Sequence, residues 1–163
     1  MTKRPPEGVP PRGIRWSPRV WLLALWLVAP ACTRENPDPP DPLLQDSLGL
    51  TGEDRVVRVR LSSRDGSELV EPAQVELEPG SWVEFFTRDR RVHTVSFAMD
   101  RLAPEQAGFL RGTSQDRSPP LVELDSRFVV SFEGAPAGRY PFLVEGNGSP
   151  ARGIVVVRTP ERE

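Results

Sequence analysis

The chain of 163 residues has one histidine, His93, one cysteine, Cys32, one tyrosine, Tyr140, and beyond Met1 a single methionine, Met99. A lone cysteine excludes an internal disulfide, so packing must hold the fold together. A lone histidine excludes any site built on two imidazoles. It also obliges a serine-histidine-aspartate reading to use His93, and no nucleophile stands in a recognisable elbow. There is no glycine-rich phosphate loop. Clustered positive charge, needed to displace phosphate counterions, is missing too, so nucleic-acid binding is not expected. The formal charge of −2 conceals an asymmetry. Lys3, Arg4, Arg12, Arg15 and Arg19 face only Glu7 in residues 1–31, which leaves 16 basic and 22 acidic side chains in the rest.

Nor does the sequence contain an apolar run of the roughly 20 residues that a membrane span requires. It has instead a shorter run, Val20–Ala29, behind a basic stretch and ahead of small residues, the tripartite order of an export signal. Ala29-Pro30-Ala31-Cys32 resembles a bacterial lipobox, with departures at Ala29, where leucine is usual, and at Pro30. The resemblance implies a lipoprotein-type signal peptide over residues 1–31, a lipid on Cys32, and a protein anchored to a membrane on the periplasmic or extracytoplasmic side of the cell envelope. Two alternatives stay open. A conventional cut after Ala31 would leave Cys32 as a free thiol on a secreted soluble protein, and an uncleaved segment would itself be the anchor. All three place the domain outside the cytoplasm.

Residues 32–52 read as a Pro-rich tether, since Pro37, Pro39, Pro40 and Pro42 among scattered acids favour an extended, solvated conformation. The domain is expected over residues 53–159, where the dominant period is two. Val57, Val59 and Leu61 alternate with arginines, and Val75 and Leu77 with Gln74, Glu76 and Glu78. Further strand-like runs lie at Val92–Phe97, Arg127–Phe132, Tyr140–Val144 and Ile154–Val157. Turns are marked by Asp65-Gly66, Pro79-Gly80, Gly134–Gly138 and Gly146–Pro150. The pattern predicts an all-β sandwich of about seven or eight strands. Met99–Pro120 breaks the rhythm: Ala103–Leu110 predicts a short helix with proline in its first turn, and Arg111–Pro120 an open loop.

The order of these pieces carries a resemblance. Strand 71–77, the Pro79-Gly80 turn, strand 82–85, then His93-Thr94-Val95-Ser96-Phe97, Phe128–Phe132, Gly138-Arg139-Tyr140-Pro141-Phe142 and Gly153–Val157 are similar to the cupredoxin family, the plastocyanin- and azurin-like blue-copper proteins. The resemblance covers about residues 54–158 and implies a Greek-key β-sandwich. It further implies a type 1 copper site of two histidines, one cysteine and a weak axial methionine. His93 stands at the first histidine. The cysteine position is Val144, the second histidine is Asn147, and the methionine falls on Ala151 or Arg152.

Three of the four ligands are therefore absent, and the expected cofactor is none. Copper held by His93, with oxygen ligands from Asp89, Asp100 or Glu145, is the alternative. A hydrogen-bonded structural histidine is the simpler role for His93, and a core residue for Val144. The reading of function is a non-enzymatic binding or accessory module, with a protein partner at loops 99–120 and 145–152. Its alternative is an electron-transfer or copper-handling protein using His93.

Overall fold

The computed structural model describes residues 36–159. The expected signal peptide and Cys32 lie outside the described residues. Eight strands form two four-stranded sheets. Sheet A has the order β2-β1-β4-β6, from Ser67–Glu71, Val56–Arg64, Trp82–Thr87 and Arg127–Ser131; sheet B has the order β3-β8-β7-β5, from Gln74–Leu77, Ala151–Val157, Gly138–Glu145 and Thr94–Phe97. The expected all-β sandwich is the one observed, and beside the expected helical excursion it carries a second short helix ahead of the first strand.

Local chemistry explains the path. Asp65 and Gly66 both take positive φ, 52° and 75°, which closes the two-residue hairpin between β1 and β2. After β2 the chain passes to sheet B at Pro72, and after β3 it returns through Pro79-Gly80, where Gly80 has φ 84°. These crossings make two pairings parallel, β1 with β4 and β3 with β8; the other pairs are antiparallel.

The period-two residues meet between the sheets. Val59, Leu61, Val83, Phe85 and Val130 of sheet A face Leu77, Val95, Tyr140, Phe142, Val144 and Val155 of sheet B, all buried. Each such side chain removed from water contributes roughly 1.5–3 kcal/mol. Phe142 is the centre, with ring centroids 5.0 Å from Phe85 and 6.3 Å from Phe97, both edge to face. Its ring lies on Gly153, its cross-strand partner, where a Cβ would fall 2.2 Å from Cζ. Tyr140 turns its hydroxyl out of the core to donate to the Pro136 carbonyl at 2.6 Å.

Residues 36–52 differ from the extended tether that proline content predicts. Pro42–Leu48 is a helix, α1, capped at Asp41, whose Oδ1 accepts from the Leu44 amide at 3.0 Å, and ended by Gly49 at φ 68°. Asp41 and Pro42 thus act as a cap and a first-turn proline rather than as spacers. Leu44 and Leu50 bury themselves on Val56, Trp82 and Val129, the outer face of sheet A. Upstream, the Asp38 carbonyl accepts from the Val56 amide at 2.8 Å, and Asn36 Nδ2 donates to the carbonyls of Gly52 and Asp54. Arg127 binds both Asp41 and Glu84, and Arg58 reaches Glu84 at 3.0 Å. Partial burial works to raise the Asp41 pKa, but the Leu44 amide, Arg127 and Arg58 outweigh it and hold the carboxyl below its ordinary value.

The excursion after β5 contains a 3₁₀ turn, Met99–Arg101, and a second helix, α2, over Pro104–Gly112. Proline occupies its first turn as expected, and Gln106 Oε1 accepts from the Ala103 amide at 3.0 Å. The following segment is not the open loop that its composition predicts. It returns along the free edge of β5: the Asp116 carbonyl accepts from Phe97, Ser118 donates to the Val95 carbonyl, and His93 and Leu121 exchange both backbone hydrogen bonds. An exposed strand edge is thereby covered.

Candidate functional site

His93 sits one residue before β5, fully buried, with its backbone bridged to Leu121. Its parity with Val95 points the side chain inward, on the face that carries Val144. Nδ1 lies 2.7 Å from Glu68 Oε2, and Nε2 lies 2.7 Å from Asp89 Oδ1. Glu68 is itself buried, at 4% exposure, and both of its oxygens lie 2.9 Å from Ser63 Oγ. Asp89 is further held by the backbone amides of Ser63, at 2.7 Å, and Arg91, at 2.9 Å. Partial burial acts to raise the Asp89 pKa. The hydrogen bond from His93, those two amides and the charge of His93 prevail and lower it.

The sequence brings Glu68 to this place through three glycines. Asp65-Gly66 folds β2 back on β1, so that Glu68 faces Ser63 in register. Gly146 lies across from His93; a Cβ there would fall 2.4 Å from Glu68 Oε1 and 2.5 Å from the Val92 carbonyl. Gly148 lets its loop touch the hairpin, since a Cβ would fall 2.3 Å from the Gly66 carbonyl. Two further bonds close the contact, Ser149 amide to Gly66 carbonyl and Glu68 amide to Ser149 carbonyl, each 2.8 Å. The loop that would carry metal ligands in a blue-copper domain is therefore tied to the β1-β2 hairpin, and a carboxylate fills the space beside the imidazole.

Two short contacts on one ring require two bridging protons, shared as an imidazolium between two carboxylates or as a neutral ring with one protonated acid. Such a group fixes the ring but leaves it no free nitrogen. Ser63 hydrogen-bonds to Glu68 and not to His93, so the four residues do not form a nucleophile and its base. The donor set does not fit type 1 copper. Nδ1 is taken by Glu68, Val144 is a fully buried core residue paired with Val95, Asn147 and Arg152 are exposed, and Ala151 is a strand residue opposite Val144. Among the described residues, no three His, Cys, Asp or Glu side chains are arranged to hold a metal ion.

Of the oxygen ligands the sequence offered to His93, the structure brings Asp89 to it; Asp100 and Glu145 are not among its hydrogen-bonding partners. Glu68 was missed. Its sequence signal is an acid two residues after a hairpin glycine, on the inward parity of its strand, where Val70 follows it into the core. Cys32 lies outside the described residues, and within them no helix is long and apolar enough to cross a membrane.

No family model matches the chain, and no curated protein matches it. Among solved structures it is similar to oxidised plastocyanin from Dryopteris crassirhizoma, at 22% identity over 63% of this chain and 100% of that one, with a TM-score of 0.49. It is similar also to an oxidised amicyanin variant, at 19% identity over 63% of this chain and 82% of that one, with a TM-score of 0.44. A third is the copper-containing nitrite reductase of Thermus scotoductus, at 22% identity over 76% of this chain but 28% of that one, with a TM-score of 0.47. The architecture itself rests on the strand order and register given above.

Proposed function

We propose that this protein is a cell-envelope lipoprotein whose cupredoxin-like domain acts by contact, as a non-catalytic binding or accessory module, and not through type 1 copper. The observation that carries this reading is the occupation of both His93 nitrogens by Glu68 and Asp89, beside a buried Val144 in the place of the sulfur ligand. A contact role is supported at the same rim. The His93–Leu121 bridge sets exposed Val92 beside Val122, and Leu124 follows; these three are among the few large apolar side chains exposed on the domain. Segment 116–120 leads into this rim along β5 and the 145–152 loop touches it where Gly146 meets the Val92 carbonyl; loops 99–120 and 145–152 form the partner surface in this reading.

Titration of the purified protein with Cu(II) and Cu(I) tests it: weak binding that His93→Ala leaves unchanged is expected. Submicromolar binding abolished by that substitution would instead establish the copper-handling alternative. The anchor has a separate test, in which labelled fatty acid enters the wild type and not Cys32→Ser. Equal incorporation removes the lipoprotein part of the reading.

A further inference from the structure

The outer face of sheet B holds a groove of about 510 Å³, a volume within the range that takes small organic ligands. Outward residues of β7 and β8 form its floor: Pro141 stands opposite Ile154, and Leu143 opposite Arg152. All three apolar residues are half-buried although they lie on the outside of the sandwich. The concavity has a backbone cause. β5 leaves β7 after Phe97, the Ala98 amide makes a last bond to the Pro141 carbonyl at 2.8 Å, and the 3₁₀ turn then rises as a wall. Ala73 and Gln74, at the start of β3, form the opposite wall.

The charge around this apolar floor is one-sided. Arg139 and Arg152 stand at its two ends and Arg101 on the wall, against one acid, Asp100. On sheet A, by contrast, Arg58 and Arg127 pair with Glu84 and Arg60 with Glu71, and Arg64 at the end of β1 is the outward arginine outside these pairs. Arg101, Arg139 and Arg152 take part in none of the ion pairs among the described residues. A concave apolar floor ringed by unpaired guanidinium groups complements a molecule with an anionic head and an apolar body. A flat bilayer surface would not reach that floor.

We propose that this groove binds a small amphipathic organic anion, a carboxylate or sulfonate with a medium-length apolar body. Its lining includes none of Ser63, Glu68, Asp89 or His93, so the proposal stands independently of the role given to that cluster.

Displacement of anilinonaphthalene sulfonate from the purified full chain tests it, with dodecanoate below its micelle concentration and dodecanol as the neutral analogue. Dodecanoate should compete and dodecanol should compete far less. The double variant Arg139→Gln/Arg152→Gln should weaken dodecanoate about tenfold at low salt, by loss of two partly screened charge-assisted contacts. An unchanged melting temperature shows that the variant is folded, and Arg101→Gln, on the exposed turn, serves as a second variant with a smaller loss. Dye bound to the apolar N-terminal run does not respond to these substitutions and is subtracted by the comparison. Equal competition by dodecanol, an unchanged affinity in the variants, or binding of anionic vesicles without binding of monomeric dodecanoate would each overturn the proposal.

Discussion

Removal of the Glu68 carboxylate should be among the most costly single changes in this domain. In Glu68→Ala, His93 Nδ1 loses its partner in a site with no solvent access, and the Ser63 hydroxyl loses its acceptor. One buried polar group left unsatisfied costs about 1–3 kcal/mol, and breaking a buried ion pair from one side about 3–5 kcal/mol. Gly146 offers no side chain to fill the space, so the expected loss is about 3–4 kcal/mol. Glu68→Gln keeps an oxygen that can accept from the ring and should cost about 1–2 kcal/mol. Replacing both partners with apolar residues, Glu68→Leu with His93→Phe, should cost less than the sum of the single changes by at least about 1.5 kcal/mol, since neither the imidazole nor the Glu68 carboxylate is then left facing an empty place, although Ser63 and Asp89 still lose a partner. Urea unfolding at neutral pH measures these variants and the two single changes Glu68→Leu and His93→Phe, with m-values compared to check that the unfolding transition is unaltered. A Glu68→Ala variant within about 0.5 kcal/mol of wild type, or strict additivity in the double variant, would refute the reasoning.

Because the folded pKa of Asp89 lies below its ordinary value of 3.8, its contribution to stability is present above that value and is lost as pH falls through the folded one. Asp89→Asn should therefore flatten the acid limb of the stability profile, and an unchanged limb would contradict the cause assigned to the shift. Gly153→Ala should cost about 2–3 kcal/mol, because its Cβ can be accommodated only by displacing the Phe142 ring from Phe85 and Phe97; thermal unfolding reads it. Leu44→Ala should cost about 2 kcal/mol and make residues 36–52 cleavable under limited proteolysis while the sandwich resists. Resistance equal to wild type would show that capping and the Asp41–Arg127 pair, not Leu44, hold α1 in place.

The strands were legible because burial on one face leaves a period of two. β6, β7 and β8 lie where Phe128–Phe132, Tyr140–Val144 and Ile154–Val157 placed them, and α2 begins at the proline that marked it. Segments whose partners are distant in sequence were not legible in this way. Proline content alone reads residues 36–52 as extended, yet Asp41 meets Arg127 across 86 positions, and Leu44 finds its cover on three separate strands. Likewise the polar run 113–120 reads as open loop until the free edge of β5 supplies its hydrogen bonds.

The candidate site divides along the same line. Sequence by itself determined that three ligand positions of a blue-copper pattern are vacant, since that is a matter of counting along one loop. It also determined that His93 is the only imidazole. What stands in the vacancy was decided by tertiary structure alone. Glu68 reaches His93 from 25 positions away, because a hairpin turn and two glycines bring separate segments within hydrogen-bonding distance. Removal from water then makes that contact a strong one. The same holds for the groove on sheet B. Arg101, Arg139 and Arg152 are unremarkable in the chain and become a set only where β5 departs from β7. Periodicity is a local property that any window of sequence displays, whereas the pairing of charges depends on which segments the fold makes neighbours.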